Sequence, residues 1–168
     1  FDALLASARR PLLLVGLGAR DRVAANAVRD LCASHDVNAL VTYKAKGVVS
    51  DHDPHFAGVF TNGLVEADAI AGADLLIGVG LDPIELLPRA WPYPQPIVNV
   101  TPYEVTSDHV PFATQLIGDV GAGVRRVASV LRPRADRPSA VARIATTSTS
   151  GAELAPARVV ELVAAAFP

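Results

Sequence analysis

Short apolar runs alternate with amphipathic segments along this chain. Leu12-Leu13-Leu14-Val15 is continuous and apolar, held between Pro11 and Gly16, which is the pattern of a buried parallel strand. Asp21 can then cap a helix reaching about Ser34, with Val23, Ala27, Val28 and Leu31 on one face. Val37 to Thr42 reads as a second strand and Phe56 to Phe60 as a short third. Leu64 to Ala71 fits a helix, with Asn62 as its cap. Leu75 to Val79 is the clearest strand, followed by Ile97 to Val100 and Ala113 to Ile117. A helix from Asp119 to about Leu131 places Val120, Val124, Val127 and Leu131 on one stripe. Strands alternating with helices predict an α/β fold, with a parallel sheet covered on both faces and right-handed crossovers.

The pattern changes after Leu131. Residues 133–155 are rich in Pro, Arg, Ser and Thr and read as a linker. Pro156 then opens an apolar-periodic segment through Val159, Val160, Leu162, Val163 and Phe167. The expected layout is one domain over 1–132, a linker over 133–155, and over 156–168 the first helix of a further domain. Hydrophobic residues make up 51% of the chain and aromatics 5%, so the core must be built from small aliphatic side chains. These suit strands covered on both sides.

A net charge of −2 gives no footing for a nucleic-acid or anionic-membrane partner. No apolar run nears the ~20 residues of a membrane span. No basic leader with an apolar core opens the chain. The chain contains no Met, which reads as a piece cut from something longer. Cys32 is the sole cysteine, so no internal disulfide is possible, and a reducing, cytoplasmic setting is expected.

Three loops could carry chemistry. Gly16-Leu17-Gly18 follows the first strand, where glycines let a ligand approach the backbone. A full dinucleotide fingerprint wants a small residue where Asp21 stands, and an acid where Thr42 and Tyr43 stand. An NAD site of the dehydrogenase type is therefore disfavoured, and the glycines could instead serve only a tight turn. The second loop, Thr42 to Gly47, holds Lys44 and Lys46, the only lysines in the chain. Two ammonium groups and Gly47 could meet a phosphate or a ribose, or could form a solvated turn. The third loop carries Gly80 and Asp82 out of the fourth strand; Asp82 could accept from a ribose or simply shape a turn before Pro83. His52 and His55 flank Pro54 and need not converge on a metal. Cys32, beside the apolar helix face, reads as a buried, inert thiol.

The segments RPLLLVGLGAR, TYKAKGVVSDHDPHFAGVF, ADLLIGVGLDP, IVNVTPYE and QLIGDV, in this order, resemble the central domain of thiamine-diphosphate enzymes of the acetolactate synthase and 2-oxo acid decarboxylase family. The tail LAPARVVELVAAAFP resembles the opening helix of that family's C-terminal domain. The resemblance implies a three-layer, Rossmann-like domain with a six-stranded parallel sheet ordered 3-2-1-4-5-6. Members of the family hold FAD or ADP across this domain, or leave it as a spacer. The matching positions here are Gly16, Gly18, Thr42, Lys44, Lys46, Gly47, Gly80 and Asp82, with Asn99 and Thr101 at the end of the fifth strand. FAD-holding members carry an Arg-containing run where this chain has Leu81 to Glu85, and acidic residues where it has Asn99-Val100-Thr101. Both departures count against FAD.

The family's catalytic glutamate belongs to a preceding domain. Its metal-diphosphate motif would begin Gly-Asp-Gly, whereas Gly118-Asp119 is followed here by Val120. The resemblance thus implies a non-catalytic middle domain, with thiamine diphosphate and magnesium in the parent only. Its partners would be the flanking domains of a homo-oligomeric parent acting as a lyase or transferase on a 2-oxo acid. Two other readings stay open: an autonomous module for FAD, ADP or CoA, and a transhydrogenase-like domain binding NADP through Lys44 or Lys46.

Overall fold

The structure is a computed structural model, and it describes residues 1–132 and 162–166. Six strands form one parallel sheet: β1 (Pro11–Val15), β2 (Ala39–Thr42), β3 (Phe56–Phe60), β4 (Leu75–Val79), β5 (Ile97–Thr101) and β6 (Phe112–Ile117). Their order is β3-β2-β1-β4-β5-β6, as the resemblance implied. The central strands β1, β4 and β5 are buried at every position, and so is β2; the edge strands β3 and β6 are only partly buried. That is why β1 and β4 are continuous apolar runs, whereas the edge strand β6 admits Thr114 and Gln115.

Alternate residues of each strand feed opposite faces. Leu13 and Val15 of β1, with Val41, Ile77, Val79, Val98 and Val100, meet one layer of helices. That layer is α1 (Asp2–Ser7), α2 (Arg22–His35) and α4 (Val120–Val130). It contributes Leu5, Val28, Leu31, Val124 and Val127 to the core. Leu12, Leu14, Leu40 and Leu76 face the other way. There the cover is one short helix, α3 (Ala67–Ala71), and the irregular chain after β4. Trp91 and Tyr93 from that chain stack edge-on against each other at 5.1 Å, and both contact Phe60. Tyr93 donates to the buried carboxylate of Glu66 at 2.9 Å, and burial, with this bond, pushes its phenol pKa up.

Asp21 caps α2 as its position predicts, its Oδ1 accepting from Val23 and Ala24 N–H at 2.9 and 3.0 Å. Asp119 caps α4 through Ala122 N–H at 2.6 Å. Other expectations need correction. The periodicity places Val23 on the apolar face of α2, but it is 55% exposed; Ala24 and Ala25 are buried instead. The helix expected from Leu64 begins only at Ala67, and Asn62 does not cap it. Asn62 adopts φ 62° and turns its amide to the carbonyls of Leu87 and Arg89, where the cover of the second face needs a donor. Helix α1 has too few residues for a periodic signal. The linker proposed for 133–155, and most of the helix proposed from Pro156, lie outside the described residues; residues 162–166 are helical.

Cys32 lies in α2 at 1% exposure. Burial pushes its thiol up to about 12, and the Asp53 carboxylate adds to the effect. The fold therefore favours the neutral thiol. Its contribution to stability is complete below pH 9, the ordinary thiol value, and is lost as pH rises from 9 toward 12. Native protein at pH 8 should leave an aromatic disulfide reagent unreduced, and denatured protein should consume one equivalent. Prompt reaction of the native protein would contradict this burial.

Candidate functional site

All six strands run the same way, so their outgoing turns share one rim. Register fixes it: Val15 lies beside Val41 and Val79, and Val79 beside Val100. The strand order reverses between β1 and β4, and at such a switch the two outgoing loops usually part to leave a crevice. Here they touch. Gly18 N–H donates to Gly80 carbonyl at 2.9 Å, and Gly16 N–H to Val79 carbonyl at 2.9 Å. A Cβ on Gly16 would lie 2.5 Å from the Gly80 oxygen. Three of the glycines selected from the sequence, Gly16, Gly18 and Gly80, thus meet backbone to backbone.

The crevice contains a side chain, Glu85, only 2% exposed. Its carboxylate accepts from Leu17 N–H at 2.9 and 3.0 Å, from Thr42 hydroxyl at 2.6 Å and from Asp82 N–H at 3.2 Å. One buried anion therefore ties together the loops leaving β1, β2 and β4. The Leu17 N–H occupies the place where a phosphate would be received in a glycine-loop site, and a carboxylate already meets it. Burial of this charge is tolerable because each oxygen has donors aimed at it.

Sequence reasoning does not single out Glu85. A signal was available: Asp82-Pro83-Ile84-Glu85 has the spacing of a capping box, with Pro in the first turn. The structure has that box, in a short turn over Pro83–Glu85.

The other candidates surround this knot. Asp82 spends Oδ1 on Ile84 N–H at 3.1 Å and accepts from the Tyr103 hydroxyl at 3.3 Å. The Asp82 charge pushes the Tyr103 phenol pKa up. Asn99 is fully buried, its amide donating to Leu81 carbonyl at 3.0 Å. Thr101 donates to Tyr103 carbonyl at 2.9 Å. Thr42 also accepts from Ala45 N–H at 3.2 Å, which shapes the turn that follows β2. Lys44 lies within that turn, over Tyr43–Ala45, and Lys46 and Gly47 follow it, outside the knot. Lys46 pairs with Asp51 and lies 5.4 Å from the Phe56 ring; Lys44 lies 5.9 Å from the Tyr43 ring.

His55 is held between Asp53 at 3.0 Å and Asp36 at 3.4 Å. Among the described residues, no three His, Cys, Asp or Glu side chains converge as a metal site, and no helix is long and apolar enough to cross a membrane.

Six parallel strands with this order and a loop knot at the switch point define a Rossmann-like domain. The chain belongs to the family described as the central domain of thiamine pyrophosphate enzymes, which matches residues 3–127. It is 27% identical over 135 residues to oxalyl-CoA decarboxylases from two strains of Escherichia coli. That match covers 77% of this chain and 23% of each relative, so the chain spans about a quarter of their length. Among solved structures it resembles a thiamin diphosphate-dependent enzyme from Mycobacterium smegmatis, with TM-score 0.73 and 18% identity over 100% of this chain and 34% of that one. It also resembles benzoylformate decarboxylase from Polynucleobacter necessarius, with TM-score 0.70 and 17% identity over 100% of this chain and 33% of the other. These two likenesses are of fold.

Proposed function

We propose that this chain is a non-catalytic spacer in a thiamine-diphosphate-dependent lyase or transferase acting on a 2-oxo acid. The carrying observation is the family match over residues 3–127. In this reading residues 1–132 are the domain, 133–155 a linker, and 156–168 the start of the next unit. Flanking domains hold the cofactor and its magnesium.

A nucleotide lying on the rim is the second reading, favoured by the gathering of the β1, β2 and β4 loops. It would contact the exposed Gly18, Lys46 and Gly47 and the half-buried Lys44 and Asp82, while Gly16, Thr42, Gly80, Asn99 and Thr101 are buried and would only shape the rim from beneath. Glu85 already satisfies Leu17 N–H, so a phosphate would need cations from elsewhere. ADP suits such a rim better than FAD, because no arginine follows β4 closely.

The test is direct. Purified chain supplied with thiamine diphosphate, magnesium and a 2-oxo acid should turn over no substrate. Turnover that survives repurification would overturn the spacer reading. Calorimetry against ADP, FAD and CoA checks the rim, and no heat with any of the three would remove the second reading.

A further inference from the structure

Beside the rim, a hollow of about 330 Å³ opens between α2 and the loop that follows β2. Arg20, Arg22 and Arg29 line one side, and Lys46 and Gly47 the other. Arg22, Ala25 and Arg29 share one helix face by spacing. Ala25 and Val48 are buried beneath them. Four cationic side chains thus surround one concavity in a protein whose net charge is −2.

Only one of the four cations has a carboxylate partner among the described residues. Asp51 pairs with Lys46. Asp21, between Arg20 and Arg22 in sequence, turns its Oδ1 to the helix N–H groups. The side chains of Arg20 and Arg22 make no hydrogen bond or ion pair among the described residues. Arg29 is half-buried and held in place: Nη1 donates to Val48 carbonyl at 2.5 Å and Nη2 to Asn26 Oδ1 at 2.7 Å. This fixes one guanidinium and also anchors the β2 loop to the helix. Like charges around one hollow repel, and a multivalent anion relieves that repulsion.

We propose that this cup binds a phosphate-bearing small molecule, taking its diphosphate or terminal phosphate. The reading deepens the assignment of Thr42 to Gly47 as a ligand-facing loop and rests on it. It moves the phosphate from the glycine loop, where Glu85 stands, to the hollow between α2 and the loop that follows β2. Arginine forks match pairs of phosphate oxygens, and two of the three are free to close on a ligand. The volume is at the lower end for small-molecule sites, which fits a diphosphate and not a nucleic-acid strand.

Calorimetry with inorganic pyrophosphate and with ADP on the 168-residue chain tests this. The double variant Arg20→Gln/Arg22→Gln should weaken pyrophosphate binding at least about tenfold. Both positions are exposed, so circular dichroism should be unchanged. A charge-matched control, Arg9→Gln/Arg125→Gln, should bind as the parent does. Added salt should weaken binding. Tighter binding of ADP than of pyrophosphate, with both lost in the double variant, supports the cup and names a nucleotide as the source. Equal affinities support the cup and name the diphosphate alone. Pyrophosphate binding that survives the double variant, or falls equally in the control, overturns the cup. ADP heat persisting in that double variant would then leave the rim reading standing. No heat from either probe overturns the cup, and leaves the spacer reading to its own turnover test.

Discussion

Glu85→Ala should destabilise the protein by about 3–5 kcal/mol, a large part of the ~5–15 kcal/mol that holds a typical domain. The reason is the donors left behind. Leu17 N–H, Thr42 hydroxyl and Asp82 N–H all point at a carboxylate that is 2% exposed, and water cannot freely replace it. Hydrogen bonds to a charged acceptor contribute about 1.5–3 kcal/mol each, and orphaned buried donors cost more than a lost bond. Glu85→Gln keeps the shape and one acceptor oxygen, and the Thr42 hydroxyl can rotate to accept from the new amide. Its cost should be less, about 1–2 kcal/mol. Urea unfolding followed by circular dichroism gives the order: parent, then glutamine, then alanine. An alanine variant as stable as the parent would mean that the three loops do not depend on this tether.

The second large effect is expected at Gly80. This residue has φ +59°, and an added Cβ would lie 2.5 Å from Gly18 carbon and 2.6 Å from Ala19 nitrogen. Both are backbone atoms, so no side-chain rotation can relieve the clash. Gly80→Ala should cost more than about 3 kcal/mol, because left-handed strain of about 1–2 kcal/mol adds to the overlap. Gly47 is the internal comparison. It has φ +91°, and an added Cβ there would meet nothing within 4 Å. Gly47→Ala should therefore carry only the strain, about 1–2 kcal/mol. Matched urea midpoints for the two variants would show that close approach at Gly80 is unimportant.

These two residues mark the limits of what sequence patterns reveal. The strands were legible because burial on both faces demands continuous apolar runs, and Pro11-to-Gly16 and Leu75-to-Val79 bracket such runs cleanly. Asp21 and Asp119 were legible as caps because a cap acts within its own helix turn. The periodicity misplaces Val23 because several buried positions of α2 are alanines, among them Ala24 and Ala25, which carry little hydrophobic signal. Asn62 was misplaced because its amide serves Leu87 and Arg89, 25 and 27 residues away. The glycine loop was found, but its neighbour across the switch point was not visible. Glu85 meets Leu17 over 68 residues and Thr42 over 43.

The amino-acid order alone determined the six strands, the helices α2 and α4, the parallel sheet and, through the ordered set of segments, the family. Those properties arise from local periodicity and from burial that each strand needs wherever its neighbours lie. Only the folded chain decided what fills the crevice beside β1 and which cations share a hollow. Both depend on β4 lying beside β1 and on the β2 loop folding back over α2. Such contacts join residues far apart in the chain, and their energy resides in distances and angles that no residue type carries by itself.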